Sequence, residues 1–337
     1  MKNILAPRTW VNPHQHFHAV IENHWYRFVH ELINDFVFST VDFFRNQGFS
    51  PALMPVTCSS VSSPMGLGSD SLPVEINLFN KNTYLADSMQ FHLEYLMRQR
   101  VPGVFYIMPT FRGEMPDSRH LNQFFHSEAE LVGTLEDVMT LVERYIFYCT
   151  DNILRNQSQK FKKLKINTDH IEQFITLGHK IPRITFQEAR KVIGNNREFY
   201  SQLSEEIEII SHRGEQELMD KFGGIVWLTH FSKKSVPFYH AHNNEGYALC
   251  ADLLMGIGEV VGCGQRHVTF EDTLNALREH KVNTSDYEWY LCMKKEYPLQ
   301  TSGFGLGLER YLLWILRHDD IRDIPLFNRL KNTEGIP

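Results

Sequence analysis

The 337-residue sequence predicts an α+β domain. A long helical pattern opens the chain, short strand-like segments punctuated by turns fill its middle, and a glycine-rich strand runs into an apolar helix near its end. Bulk composition fits a folded globular chain: 42% of residues are apolar, 22% are charged, and 34 basic against 40 acidic side chains give a net charge of −6. A mildly acidic chain lacks the broad basic field of a dedicated nucleic-acid binder. No apolar run follows Lys2 and no stretch approaches the ~20 unbroken apolar residues of a membrane span, so the expected location is cytoplasmic with no membrane partner. The five cysteines (Cys58, Cys149, Cys250, Cys263 and Cys292) are scattered and form no CxxC pair, which points to neither a disulfide framework nor a zinc site.

Phe28, Leu32, Phe36 and Phe43 recur at helical spacing, predicting one or two helices between about His16 and Gln47. Gly48 ends that pattern, and GFSPALMPV reads as a short extended segment whose prolines suit an edge or an interface. The Ser-, Gly- and Pro-rich SSVSSPMGLGSDSLPVEI reads as loop. Strands follow at FNKNTYLAD, GVFYIMPTFRGE and FFHSEAELVG, with a helix from about Ser88 to Gln99 between the first two. Residues 135–156 read as helix, KFKKLK as a solvated basic face, and 157–225 as mostly helical. Thr185 and Glu188 form a capping-box pattern, which places a helix start there. Strand character returns at IVWLTHF, YALCADLLM and EVVGCGQRHVTF; FEDTLNALREH and YLLWILRH close the series as helices.

Three segments carry the chemistry. In FRGEMPDSRHLNQFF, Arg112 and Glu114 share one face of a strand, Arg119 and His120 sit in the following loop, and Phe124 offers a stacking face. Guanidinium groups suit oxygen-rich anions, and a carboxylate can accept from an exocyclic amine; the competing reading is a set of surface ion pairs. In GFGLGLER, glycines at 303, 305 and 307 let a flat ligand approach a strand before a helix brings up Arg310. The spacing lacks the third glycine of a dinucleotide fingerprint. In ADLLMGIGEVVGCGQRH, Asp252 and Glu259 converge across a glycine turn as oxygen ligands for Mg2+, the alternative being an ion pair between Glu259 and Arg266.

Together these segments resemble the class II aminoacyl-tRNA synthetases: FRGE with RHLNQF and its acidic E-A-E tail is similar to motif 2, GFGLGLER to motif 3, and GFSPALMPV to the motif 1 dimer segment. RHL, GIGEVVG with QR, YEWYL and IRDIPLFNR resemble the aspartyl and asparaginyl branch, over about residues 15–330. SSPMGLGSD and YLADSM are similar to the archaeal asparagine synthetases related to asparaginyl-tRNA synthetase. The resemblance implies an antiparallel sheet of about six or seven strands flanked by helices, a homodimer, and a single catalytic domain over 1–337 with an insertion at about 157–225. The catalytic pattern begins almost at Met1, without an OB-fold for an anticodon, so tRNA charging is not expected.

The resemblance also implies roles. Arg112 holds the activated carboxylate and α-phosphate, Glu114 reads the adenine amine, and Arg119 with His120 faces the outer phosphates of ATP. Phe124 and Arg310 sandwich adenine over Gly305 and Gly307. Asp252 and Glu259 hold Mg2+; Asp87, Ser88, Gln90 and Glu94 lie at the amino-acid substrate, and Arg266 binds a substrate carboxylate. Leu93 stands where aspartate-binding relatives carry a lysine, and Leu93 with Glu94 is the asparaginyl pattern. Cys263 reads as packing. PLFNR departs from the usual FPR ending at Asn328. The expected reaction forms an acyl-adenylate with release of AMP and pyrophosphate, most simply turning aspartate into asparagine with ammonia. A ligase using another amine, peptide or carrier as acceptor is the second reading, and a non-catalytic binding paralogue the third.

Overall fold

The computed structural model describes residues 5–63, 71–178, 180–204 and 207–333. Most of SSPMGLGSD, residues 64–70, therefore lies outside the described residues. Helix α1 (His16–Glu22) leads into α2 (His24–Asn46), which starts where the Asn23 side chain accepts from the Trp25 amide at 2.8 Å. Two-residue strands β1 (Ser50–Pro51) and β2 (Thr57–Cys58) follow. The predicted FNKNTYLAD strand is part of a hairpin, β3 (Val74–Leu78) and β4 (Lys81–Leu85), which with β2 makes a separate three-stranded sheet. Helix α3 (Gln90–Met97) then precedes the long hairpin of β5 (Gly103–Phe111) and β6 (Gln123–Val132).

A capping box between Thr134 and Asp137 opens α4 (Leu135–Leu164), which runs through the KFKK face and stops at left-handed Lys165. The segment expected to be mostly helical is mixed. It holds α5 (Asp169–Leu177), β7 (Arg183–Thr185), α6 (Phe186–Ile193), the β8 (Tyr200–Ser204) and β9 (Ile207–Ile210) hairpin, and α7 (His212–Lys221). β7 owes its pairing to the later β10 (Ile225–Thr229), a partner invisible to a local pattern, whereas β8 and β9 pair with each other. The Thr185–Glu188 capping box forms as predicted. The chain ends through β11 (Cys250–Met255), β12 (Gly258–Gln265), α8 (Phe270–Glu279), α9 (Glu288–Glu296), β13 (Thr301–Gly307) and α10 (Leu308–Leu316).

The main sheet runs β1-β5-β6-β13-β12-β11-β10-β7. Its six central strands are antiparallel, and the short β1 and β7 extend the two edges in parallel. The expected six or seven strands are thus eight, the extra ones being edge strands of two and three residues.

Side-chain alternation divides the sheet into two unlike faces. Phe105, Ala129, Phe304, Leu306, Val261, Cys263, Ala251 and Leu253 turn to one side and join the core with Phe36 and Phe44 of α2, Tyr145 of α4 and Leu312 of α10. Cys263 is packing, as expected. The residues between them, including Tyr106, Glu128, Gly305, Gly262 and Asp252, face away from that core. They form an open floor. Among the described residues, no helix is long and apolar enough to cross a membrane.

Candidate active site

Register across the sheet orders this floor. Gly303, Gly305 and Gly307 of β13 mark three levels of one face, each ~7 Å from the next, two residues of extended chain apart. At the first level Gly303 lies opposite Glu130 and Gly264, with Gly264 opposite Cys250. At the second, Gly305 lies opposite Glu128 and Gly262, with Gly262 opposite Asp252. At the third, Gly307 lies opposite His126. The floor belongs to a cavity of about 540 Å3, and Asp87, Ser88, Gln90, Arg112, Glu114, Arg119, His120, Phe124, Asp252, Glu259, Arg266, Gly305, Gly307 and Arg310 all line it.

One level beyond, two residues on from His126, the Arg112 guanidinium stands 5.5 Å above the Phe124 ring. The Arg112 Nε is buried without a hydrogen-bond partner. The amide of Asn122 donates to the Arg112 and Glu114 carbonyls at 2.9 and 2.6 Å and so fixes the bend after β5. Glu114 itself accepts from the Leu72 amide at 3.0 Å. Asp117 takes the backbone amides of Arg119 and His120 and contacts His120 Nδ1 at 2.9 Å. Burial and the nearby Arg310 charge hold the His120 imidazole below its ordinary range. Arg119 faces Glu215 of α7 at 3.5 Å. Arg310 donates to the Glu259 carbonyl at 2.7 Å; burial and the charges of Arg112 and Arg119 lower its pKa.

The acidic pair converges at the second level. A Cβ on Gly262 would lie 2.7 Å from Glu259 Oε1 and 3.7 Å from Asp252 Oδ1, so the two carboxylates flank the space left by that glycine. Burial, then Glu259 and Glu215, push the Asp252 carboxyl well up, with Arg310 opposing. A divalent cation relieves such a surplus of negative charge. No group of three or more His, Cys, Asp or Glu side chains among the described residues forms a closed cage; Mg2+ that takes its remaining ligands from phosphates and water needs one or two carboxylates. The donor set fits.

Substrate-end residues divide into those that face the cavity and those that hold the wall. Asp87 accepts from Ser62 N, Ser62 Oγ, Ser63 N and Ser88 N at 2.7–3.0 Å, so it holds the backbone at Ser62 and Ser63 against the start of α3. Ser88 Oγ donates to Glu128 at 2.7 Å, and Gln90 Nε2 is buried without a partner. Burial works against Glu128, yet His126, Tyr106 and Ser88 keep its carboxyl below the ordinary range. Arg266 donates to Glu130 through Nε and Nη2 at 3.2 and 3.0 Å and stands 5.3 Å over the Tyr239 ring. Its ion pair is with Glu130, so the alternative pairing with Glu259 does not form.

Glu94 corrects an expectation. It is fully buried, accepts from Tyr290 and Lys294 at 2.7 and 2.6 Å, and is not part of the cavity wall. Lys294, two hundred residues away in sequence, neutralises the charge that made Glu94 look available. Leu93 is buried in the core with Met89, Met97 and Tyr106 and, like Glu94, does not line the cavity. Sequence reasoning missed Glu128, Glu130, Glu215, Glu309 and His240, all but Glu130 lining the cavity. Two acids at alternate positions of the FHSEAELV strand, opposite a glycine strand, were the available signal for the first two.

A central antiparallel sheet whose glycine strand feeds an arginine-bearing helix, beside a strand hairpin carrying a second arginine, defines a class II synthetase catalytic domain. The family model for tRNA synthetases class II (D, K and N) matches residues 20–331, and the chain belongs to that family. It is 29% identical over 306 residues to an asparagine–tRNA ligase of Thermoplasma acidophilum, covering 88% of this chain and 68% of the relative. A second asparagine–tRNA ligase, from Koribacter versatilis, is 28% identical over 328 residues, 94% of this chain and 71% of that one. In fold the chain is similar to the asparaginyl-tRNA synthetase from Pyrococcus horikoshii crystallised with asparaginyl-adenylate, with a TM-score of 0.86 and 23% identity over 98% of this chain and 74% of that one.

Proposed function

We propose that the protein is an AMP-forming ligase that activates an amino-acid carboxylate with ATP and passes the acyl group to an amine, with aspartate and ammonia giving asparagine as the first reading. What carries the reading is that Arg112, Arg310, Asp252, Glu259 and Arg266 all open onto one cavity. A carboxylate oxygen attacks the α-phosphorus, the bond to pyrophosphate breaks, and ammonia then attacks the acyl carbon and expels AMP, its surplus proton passing to solvent. Orientation and charge stabilisation by Arg112 and Arg310 supply the catalysis, and no side-chain nucleophile is needed. Asp252 and Glu259 would hold Mg2+, whose chemistry when bound is neutralisation of phosphate oxygens. For aspartate, the side-chain carboxylate points to Arg112 and the α-carboxylate to Arg266.

The second reading keeps the adenylate and changes the acceptor to another amine, a peptide or a carrier; Leu93, an uncharged core residue where aspartate-binding relatives carry a lysine, favours it. The names of the relatives make tRNA a further acceptor to be assayed. A homodimer is part of the proposal: Phe38 and Val41 of α2 and Leu53 and Val56 beyond β1 are 64%, 38%, 101% and 45% exposed around the motif 1 segment. The test is AMP formation from ATP, aspartate, Mg2+ and ammonium. Loss of AMP in Arg112→Ala with asparagine as the wild-type product supports the first reading; AMP without asparagine moves the protein to the second.

A further inference from the structure

One side chain at the amino-acid end is built in and unused. Arg266 spends Nε and Nη2 on Glu130, which leaves Nη1 for a ligand. Its cross-strand neighbour is His240, on the segment between β10 and β11. The His240 ring lies against Tyr239, with centroids 4.4 Å apart, and directly over Gly264, where a Cβ would fall 2.2 Å from Nδ1. Gly264 is therefore needed to admit the imidazole. Nδ1 is shut off from solvent with no hydrogen-bond partner, although His240 lines the cavity. An unpaired polar atom in so enclosed a place marks a missing partner.

We infer that His240 is a specificity-determining residue, which with Arg266 holds a carboxylate of the bound amino acid, Arg266 Nη1 serving one oxygen and His240 Nδ1–H the other. This rests on the amino-acid activation reading. The ring acts as a neutral donor, because burial and the charges of Arg266, His267 and His280 keep its pKa well below the ordinary range. Tyr239 and Cys250, which also lie near this level, are pushed upward by burial and stay neutral too. A second donor is needed because Glu130 already balances the Arg266 charge, and a buried carboxylate oxygen left without a partner is costly.

The test compares His240→Ala with His240→Asn, whose amide nitrogen replaces Nδ1. Steady-state AMP formation and calorimetric binding of aspartate and asparagine are both measured, with melting temperature as the fold control. The inference expects His240→Ala to raise the KM and Kd for aspartate about ten- to a hundredfold with kcat within a fewfold of wild type, and His240→Asn to recover most of that loss. A Kd within twofold of wild type in His240→Ala, an Asn variant no better than Ala, or a wild-type preference for asparagine would overturn it. Absence of AMP with every amino acid would sink the activation reading alone, since aspartate binding still decides the role of His240.

Discussion

Gly303→Ala is the sharpest test of the floor geometry. An added Cβ would lie 1.8 Å from Glu130 Oε2, 2.7 Å from the Ala129 carbonyl oxygen and 2.8 Å from Arg266 Nη2. The backbone oxygen cannot retreat, so the methyl must displace the buried Glu130–Arg266 pair. Disrupting such a pair costs about 3–5 kcal/mol, or roughly 6–10 °C in melting temperature at about 2 °C per kcal/mol for a chain of this size. Gly305→Ala meets Glu128 Oε1 at 3.2 Å, and Gly307→Ala meets nothing nearer than 3.8 Å. For Gly307 the reduced freedom of the unfolded chain, about 0.4–1 kcal/mol, outweighs any contact cost and the sign reverses. Thermal and denaturant unfolding of the three variants should therefore rank Gly303→Ala far below Gly305→Ala, with Gly307→Ala at or above wild type. Gly307→Ala should instead raise the KM for ATP. A Gly303→Ala protein that melts within about 2 °C of wild type with unchanged affinity for its amino acid would refute the reasoning.

Three further outcomes follow from the same site. Arg310→Ala should lower AMP formation by about a hundred- to a thousandfold while the far-ultraviolet circular dichroism and melting temperature stay near wild type. Asp252→Asn removes a carboxylate crowded by Glu259 and Glu215, so without Mg2+ it should be more stable by about 1–2 kcal/mol and should lose the Mg2+-dependent rise in melting temperature that the wild type shows. Burial lifts Glu309 to about 7, above an unfolded value of about 4.3. The folded protein thus keeps a proton that the unfolded chain releases between about pH 4 and 7. That contribution lowers stability by about 4 kcal/mol across the window and is level above it. Glu309→Gln should flatten this part of the stability profile; an unaltered profile would show that Glu309 does not titrate in this way.

The parts of this protein legible in its sequence are those whose signals are local. The alternation Gly303-Phe304-Gly305-Leu306-Gly307 announced a strand with one bare face and one apolar face, and the structure places Phe304 and Leu306 in the core. The Thr185–Glu188 box named its helix start because both partners lie within one turn. What stayed hidden depends on long-range partners. Glu94 looked like a free acid until Lys294 closed on it; Asp87 does line the cavity, but nothing local announced that it also accepts from the Ser62 and Ser63 amides. β7 sits in a stretch of helical texture, and only its pairing with the later β10 makes it a strand. His240 carries no motif, and Gly264, twenty-four positions on, gives it room.

The measurement closest to the central claim is AMP formation across a panel of amino acids with ATP and Mg2+, with and without ammonium, with mass spectrometry of the products. The account predicts Mg2+-dependent AMP together with asparagine when aspartate and ammonium are present, and loss of both in Arg112→Ala. AMP that forms only with another amino acid or another acceptor, tRNA included, would contradict the aspartate-to-asparagine assignment. No AMP under any condition would contradict activation itself and leave a protein that binds the same ligands without turning them over.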